Sequence, residues 1–318
     1  MTSGPVPTYD DVLAAERRIR PYVHRTPVLT SEYFDTLSGT RLFFKCENLQ
    51  KTGAFKARGA VNAVFSLPEA QAAKGVATHS SGNHGQALCY AARRRGIPAT
   101  VVMPHTAPAA KKAAVRAYGG TIVECAPSMD AREETLNREL ARTGADLVHP
   151  YADARVIAGQ GTCAKELIED CGPLDALIAP IGGGGLISGT CLTIAAIAPG
   201  VSVYGAEPAR ADDALRSLKA GHIITEDAPE TIADGLKASL KDLTWHFISR
   251  HVTDIFTATE EEIVEAMLLV WERMKLVIEP SSAVTVAAVL KNRAAFSGVR
   301  VGVILSGGNV DLDRLPWQ

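Results

Sequence analysis

Short apolar segments alternate with longer segments of helical periodicity along the whole chain, and this alternation limits the fold more than any other feature of the sequence. Many of the short segments are β-branched and apolar on both faces, which is typical of parallel strands buried between two layers of helices. The pattern therefore predicts an α/β protein built on open, mostly parallel sheets. The predicted strands are Arg41–Cys46, Gly75–His79, Thr100–Met103, Thr121–Cys125, Leu147–Pro150, Ala176–Pro180, Ser202–Glu207, Asp254–Thr257 and Val299–Leu305.

Helical segments lie between these strands, and several have recognisable ends. Gly119-Gly120 and Gly144 each stand just after a helical segment, where glycine readily adopts the left-handed backbone that ends a helix. Thr259 precedes three glutamates, whose charges suit the N-terminal end of a helix dipole. The predicted helices are Tyr9–Ile19, Asn83–Arg95, Pro108–Tyr118, Asp130–Thr143 and Thr259–Met274.

The composition argues against several classes of function. A net charge of -2 gives no basic face for a nucleic acid. No apolar segment approaches the roughly 20 residues of a membrane span, and the first ten residues lack the pattern of a signal peptide. The 6 cysteines include no CxxC pair that would indicate a zinc site, and they are typical of reduced core residues. We therefore expect a cytoplasmic protein that acts on a small molecule.

Lys56 stands among small residues in Gly53-Ala54-Phe55-Lys56-Ala57-Arg58-Gly59-Ala60. Small neighbours let a flat ring approach the backbone, and a desolvated lysine amine forms a Schiff base with a carbonyl. A lone lysine of this kind is more often a surface residue at the start of a helix. Its interpretation therefore depends on segments elsewhere in the chain.

Two turns after predicted strands have the layout of anion sites. Ser80-Ser81-Gly82-Asn83-His84 joins a strand to a helix, so that free N–H groups and hydroxyls face a negative group. Gly182-Gly183-Gly184-Gly185 has the same layout. Four successive glycines cost conformational entropy on folding, which favours a functional role for this turn. The second turn lacks the Gly-Lys-Ser/Thr of a P-loop and the spacing of a dinucleotide fingerprint, so a phosphate monoester fits it best.

Two further segments are weaker signals. Ser306-Gly307-Gly308-Asn309 follows the last predicted strand, and Ser306 could present a hydroxyl to a ring nitrogen. The loop that begins at Glu207 and ends at Asp213 could hold a hard cation through carboxylate and carbonyl oxygens. A solvated acidic loop is an equally good interpretation of that segment.

Taken together and in this order, Thr52–Ala60, Ser80–Gly85, Gly182–Gly185 and Ser306–Asn309 resemble the fold-type-II pyridoxal phosphate (PLP) enzymes. The resemblance is closest to the serine racemase and serine/threonine dehydratase (ammonia-lyase) family, which includes 3-hydroxyaspartate dehydratases. It covers nearly the whole chain and implies the tryptophan synthase β-like fold, with two open, mostly parallel sheets, in a homodimer. The rhythm of the βα units suggests a small mobile domain over residues 80–148. A large PLP-binding domain would then comprise residues 1–79 and 149–318.

The resemblance also implies a role for each matching position. Lys56 would form the Schiff base with PLP, and Ser81 matches the second acid/base of racemases. Substrate contacts are implied for Ser80, Ser81, Asn83, His84, Arg132, Tyr151 and Arg155. A divalent cation, Mg²⁺ or Mn²⁺ with Ca²⁺ as an alternative, would bind Glu207, the Ala211 carbonyl and Asp213. The remaining implied PLP contacts are Phe55, Asn83, Gly182, Gly183, Gly184, Gly185, Leu186, Glu279 and Ser306.

The chain departs from the commonest family pattern at Ala54, Tyr151, Ala238 and Arg155. These departures argue against racemisation as the main activity, and Arg155 leaves room for a substrate with a second carboxylate. The sequence therefore favours a dehydratase for serine, threonine or 3-hydroxyaspartate, with a serine or aspartate racemase as the alternative. A β-replacement enzyme, which usually has threonine at the His84 position, and a non-catalytic PLP-binding sensor are less favoured. The glycine spacing also disfavours an NAD-dependent dehydrogenase.

Overall fold

Two β-sheets covered by helices make up the computed structural model, which describes residues 5–80 and 82–317. The strands are β1 (Val28–Leu29), β2 (Arg41–Cys46), β3 (Val76–His79), β4 (Ala99–Pro104), β5 (Thr121–Cys125), β6 (Asp146–Leu147), β7 (Ala176–Pro180), β8 (Ser202–Pro208), β9 (Val252–Ala258) and β10 (Arg300–Leu305). The helices are α1 (Tyr9–Ile19), α2 (Glu32–Ser38), α3 (Lys56–Phe65), α4 (Glu69–Ala72), α5 (Asn83–Arg95), α6 (Ala109–Ala117), α7 (Met129–Thr143), α8 (Ala154–Cys171), α9 (Gly185–Ile197), α10 (Asp213–Ala220), α11 (Asp242–His251), α12 (Glu260–Met274), α13 (Pro280–Lys291) and α14 (Arg293–Phe296).

The larger sheet has six strands in the order β1-β2-β10-β7-β8-β9, and the smaller has four in the order β5-β4-β3-β6. Every pairing is parallel except that of β1 with β2. The prediction of open, mostly parallel sheets is thus confirmed. The smaller sheet includes β3, which ends at His79, one residue before the small domain that the sequence predicts over 80–148.

Close packing of helices on glycines positions α3, the helix that begins at Lys56. A Cβ on Gly159 of α8 would lie 2.6 Å from the Gly59 Cα and 2.7 Å from the Arg58 carbonyl oxygen. A Cβ on Gly189 of α9 would lie 2.5 Å from the Gly161 backbone nitrogen. Only glycine permits helix backbones to approach this closely, so α8 is tightly joined to α3 on one side and to α9 on the other.

A buried network of ion pairs holds α3 in position, in addition to the glycine contacts. The guanidinium of Arg58 is fully buried and lies 2.8 Å from Glu47 and 2.7 Å from Glu166. Lys45, also fully buried, shares Glu166 at 2.7 Å. Removing one member would leave an uncompensated buried charge, which typically costs about 3–5 kcal/mol. The network therefore holds the segment next to Lys56 in a single position.

The structure corrects the predicted strand Leu147–Pro150, because pairing ends at Leu147. Pro150 has no N–H for a ladder, and its carbonyl bonds a lysine amine instead. The sequence pattern also missed α8 and α13. α13 is buried on nearly all faces, so an apolar stripe is absent. α8 does have an apolar stripe, through Val156, Cys163 and Leu167, which the sequence-based prediction overlooked. Within the described residues, no helix combines the length and apolar character that crossing a membrane requires.

Candidate active site

The Lys56 amine lies at the start of α3 and donates a hydrogen bond of 2.9 Å to the Pro150 carbonyl oxygen. It also lies 4.9 Å from the centre of the Phe55 ring. Burial lowers the pKa of Lys56 to about 8, although the negative charge of Glu279 opposes that shift. The amine is therefore neutral far more often than an exposed lysine, as a nucleophile or proton acceptor must be.

Backbone pairing joins the lysine segment to the end of β10, more than two hundred residues away. The Phe55 N–H donates to the Ser306 carbonyl at 3.0 Å, and the Gly308 N–H donates to the Gly53 carbonyl at 2.9 Å. Gly53 has a left-handed backbone, and a Cβ there would lie 2.5 Å from the side-chain oxygen of Asn309. The small residues around Lys56 are thus needed for this pairing as well as for access to the amine.

Asn83, Glu279 and Asn309 form a hydrogen-bonded cluster next to Lys56. The Asn83 amide donates to both carboxylate oxygens of Glu279, at 2.9 and 3.1 Å, and accepts from the Asn309 amide at 2.9 Å. Burial raises the pKa of Glu279 to about 7, and the charge of Asp234 acts in the same direction. The cluster fixes the Asn83 side chain at the N-terminal end of α5.

The four-glycine turn leads from β7 into α9. Gly184 has a left-handed backbone and precedes the first residue of α9, and no side chain caps this helix start. Uncapped N–H groups at a helix start are a binding site for phosphate. Tyr151 packs on the turn, since a Cβ on Gly183 would lie 2.4 Å from its ring and one on Gly185 2.9 Å from its Cβ.

The predicted substrate-carboxylate residues are only partly available as side chains. Ser81 lies outside the described residues, and the Ser80 hydroxyl accepts a 3.3 Å hydrogen bond from the Gly82 N–H. The ring of His84 is buried, with its Nε2 3.0 Å from the Val148 carbonyl oxygen. Burial lowers the pKa of His84 to about 3, so its ring is neutral. What remains at this turn is chiefly backbone N–H groups.

The two predicted substrate arginines differ in their surroundings. Arg155 already pairs with Asp146 at 2.8 Å and with Asp153 at 2.6 Å, and it donates to the Leu147 carbonyl at 3.1 Å. Arg132, near the start of α7, has a buried Nε with no hydrogen-bond partner among the described residues. Arg132 is therefore the one of the two with a buried donor that is still unused.

Sequence reasoning missed two histidines that stand beside the site, His79 and His149. Their rings are 6.1 Å apart in an edge-to-face arrangement, and the His149 ring lies 4.6 Å from that of Tyr151. His149 Nδ1 accepts a 2.9 Å hydrogen bond from the Ala152 N–H, and burial lowers its pKa to about 4. His149 is therefore neutral, with its proton on Nε2. Its position just before the Pro150-Tyr151 pair was the only signal available in the sequence.

Comparison with known proteins supplies the deciding observation: residues 19–307 match a family described as pyridoxal-phosphate dependent enzyme. The chain belongs to this PLP-dependent family. A β-hydroxyaspartate dehydratase from Paracoccus denitrificans (strain Pd 1222) is 64% identical over 313 residues, which cover 98% of this chain and 99% of that protein. The serine racemase of Dictyostelium discoideum is 49% identical over 97% of this chain and 96% of that protein. A solved structure of maize serine racemase, 46% identical, has a TM-score of 0.95 and covers 97% and 95% of the two chains. The predicted family and fold are thus confirmed.

The geometry of the site fits PLP, which carries an aldehyde, a phosphate and a pyridine nitrogen. The enclosed amine of Lys56 suits the aldehyde, and the uncapped start of α9 at Gly184 suits the phosphate. Ser306 is buried at the end of β10, where its hydroxyl suits a ring nitrogen. When bound, PLP withdraws electrons from the carbon that carries the substrate amine.

The predicted cation site in this PLP-family chain contains two buried carboxylates. Both oxygens of Glu207 accept backbone N–H groups at the start of α10, from Ala214 at 3.1 Å and Leu215 at 2.8 Å. Asp213 Oδ2 is buried without a partner, and burial raises the pKa of both acids. The described residues contain no cluster of three or more His, Cys, Asp or Glu groups that could hold a metal ion. Any cation here would also need carbonyl oxygens, such as that of Ala211.

Proposed function

We propose that this chain is a PLP-dependent dehydratase that converts 3-hydroxyaspartate to oxaloacetate and ammonia, with activity on serine and threonine as well. The observation that carries the proposal is the enclosed Lys56 amine beside the Asn83–Glu279–Asn309 cluster. The 64% identity to a β-hydroxyaspartate dehydratase supports this choice of substrate.

Lys56 has the central chemical task. With PLP bound, its freed Nζ accepts the proton from the substrate Cα, and the depressed pKa of about 8 suits a base that works near neutral pH. The β-hydroxyl would then leave as water with the proton held on Lys56 Nζ, and water added to the unsaturated product would release ammonia and the 2-oxo acid. The Pro150 carbonyl accepts a hydrogen bond from the Lys56 amine and would orient it for this proton transfer.

Substrate binding would use the start of α5. The α-carboxylate would lie against the backbone N–H groups and hydroxyls of Ser80, Ser81, Asn83 and His84, where the helix dipole favours a negative charge. Phe55 and Leu186 would flank the cofactor. Arg132 would approach the substrate from the small domain, in keeping with its unpartnered Nε.

Four finer features also belong to the proposal. A divalent cation, Mg²⁺ or Mn²⁺, would bind Glu207, the Ala211 carbonyl and Asp213, and the unpartnered Asp213 oxygen supports this site. The active form would be a homodimer, and the enzyme would work in the cytoplasm. Small and large domains would meet at the boundaries near residues 80 and 148.

A substrate panel tests the proposed function. The PLP-loaded protein is incubated with each 3-hydroxyaspartate stereoisomer, L-serine and L-threonine, and 2-oxo acid and ammonia are quantified. The proposal expects equal amounts of the two products, with the highest kcat/KM on a 3-hydroxyaspartate. Higher kcat/KM on serine would reduce the function to a general serine/threonine dehydratase, and the absence of products would contradict it entirely.

Racemisation is a second candidate, because serine racemases are close relatives. It needs an acid/base on the face of Cα opposite Lys56, and Ser81 is the residue predicted for that role. We expect Ser81→Ala to suppress formation of the D-isomer far more strongly than elimination of the L-substrate. Chiral chromatography and the 2-oxo acid assay, run on the same samples, measure both rates. An equal loss of both activities would argue against Ser81 as a second base.

A further inference from the structure

A cavity of about 590 Å³ is lined in part by the segment that follows the smaller sheet, from His149 to Arg155. His149, Asp153, Arg155, Lys241 and Asp242 are among its lining residues. His149 directly precedes Pro150, whose carbonyl bonds the Lys56 amine at 2.9 Å. Because His149 also lies within electrostatic range of Lys56, we expect a group that extends from the β-carbon of a bound substrate to reach this cavity.

The two cations that line the cavity, Arg155 and Lys241, differ in whether a carboxylate neutralises them. Arg155 is neutralised by the two carboxylates that it binds, Asp146 and Asp153. Lys241 is exposed and, within the described residues, has no carboxylate within 4.0 Å of its amine, even though Asp242 is its neighbour. Lys241 is thus the cation of the cavity that is free to bind a carboxylate from outside.

The backbone of Lys241 is held in place although its side chain is free. Its N–H donates to the Thr244 hydroxyl at 3.1 Å, and that hydroxyl donates back to the Lys241 carbonyl at 3.0 Å. Thr244 is buried against the four-glycine turn, since a Cβ on Gly184 would lie 2.9 Å from the Thr244 Cβ. This chain of contacts fixes Lys241 relative to the proposed phosphate site.

His149 supplies a second donor at the same cavity. Because its Nδ1 accepts from the Ala152 N–H, the neutral ring has its proton on Nε2. Burial lowers the pKa of His149, and the charges of His79 and Lys241 add to that effect, which places Lys241 within electrostatic range of both rings. A cation and a neutral N–H donor together are a suitable pair for one carboxylate.

We infer that Lys241, with the His149 Nε2–H as second donor, binds the distal carboxylate of a dicarboxylic 3-hydroxy amino acid. The inference rests on the proposed function and deepens it, because it makes Lys241 the residue that selects 3-hydroxyaspartate over serine. The paired Arg155, which the sequence suggested for this contact, instead holds Asp153 and Asp146 in the wall of the site.

Kinetics of three PLP-loaded variants test this role. Lys241→Met should lower kcat/KM for 3-hydroxyaspartate roughly 10- to 100-fold, mainly through KM, as expected for loss of one charge-assisted hydrogen bond. Its kcat/KM for serine should be unchanged, and Lys241→Arg should recover most of the loss. Lys219→Met removes an exposed charge elsewhere, at the end of α10, and should change neither substrate. An equal loss on both substrates, or no loss on 3-hydroxyaspartate, would overturn the inference.

A binding measurement separates this inference from the proposed function because it needs no turnover. Succinate and butyrate differ by one carboxylate, and each is titrated into the PLP-loaded protein while the cofactor absorbance is followed. Wild type should bind succinate more tightly, and Lys241→Met should remove that preference. Equal affinities in wild type, or a preference that survives Lys241→Met, would refute the role of Lys241. If wild type prefers succinate but does not convert 3-hydroxyaspartate, the proposed function fails while the carboxylate site stands.

Discussion

At the scale of single residues, the site depends on acid–base properties that the fold creates. The sequence identified Lys56, Asn83, Glu279 and Ser306 through their resemblance to a family pattern. It could not show that enclosure brings the pKa of Lys56 to about 8 and that of Glu279 to about 7. Desolvation depends on neighbours far along the chain, so such shifts become visible only once the fold is known.

The raised pKa of Glu279 predicts how the unfolding free energy of the cofactor-free protein depends on pH. Its folded-state pKa is raised, so its contribution is fully present below the unfolded pKa and is lost as pH rises through about 7. The charges that face it are those of Asp234, Lys111 and Lys56. Between pH 4.5 and 7, wild type should lose up to roughly 3 kcal/mol of unfolding free energy relative to Glu279→Gln.

Urea unfolding of both proteins over this pH range measures the difference directly. Using the difference removes the titration of all other groups that the two proteins share. Parallel pH profiles for wild type and Glu279→Gln would show that Glu279 titrates normally and that burial does not shift it.

At the scale of elements, glycine-mediated helix contacts position the site. The sequence predicted the strands well because buried parallel strands have a distinct apolar pattern. It missed α13 because a helix that is buried on all sides has no apolar stripe. It mistook Leu147–Pro150 for a strand because Pro150 leaves the sheet and its carbonyl binds Lys56. Neither the contact of α3 with α8 nor that of α8 with α9 has a local sequence signal.

Gly159→Ala tests the contact between α3 and α8. The new methyl group would clash with the Gly59 Cα and the Arg58 carbonyl. These are backbone atoms, so no rotamer change can relieve the clash. Overpacking of this kind costs about 1–3 kcal/mol, and we expect it to weaken PLP binding because α3 begins at Lys56. Gly200→Ala is the matched control, since a Cβ there meets nothing within 4 Å. Denaturant unfolding and PLP titration should change only for Gly159→Ala, and identical behaviour of the two variants would contradict this packing.

The proposed cation site uses Glu207 of β8 and Asp213 of α10, and it predicts that the melting temperature depends on a divalent cation. Burial of the Glu207 and Asp213 carboxylates raises the pKa of both and disfavours their charged forms, so a bound divalent cation should stabilise the fold. Chelation should lower the melting temperature, and added Mg²⁺ should restore it. In Asp213→Asn neither treatment should have an effect. A melting temperature that chelator leaves unchanged in wild type would argue against the site.

At the scale of the whole molecule, the active site joins segments that are far apart in the chain. Phe55, the neighbour of Lys56, pairs with Ser306 at the end of β10, and Asn83 reaches Glu279 and Asn309. The family pattern predicted this set of residues, whereas the cavity and the free charge of Lys241 had no counterpart in it. Family positions were therefore predictable, whereas the cavity and the free charge of Lys241 became visible only in the structure.

The central claim is that Lys56 carries out PLP chemistry on 3-hydroxyaspartate. The most direct test compares wild type with Lys56→Ala, with Lys219→Ala as control, for absorbance of the lysine-bound cofactor and for release of oxaloacetate and ammonia. We predict that Lys56→Ala loses that absorbance and its turnover together, while the control retains both. Continued turnover by Lys56→Ala would contradict the account.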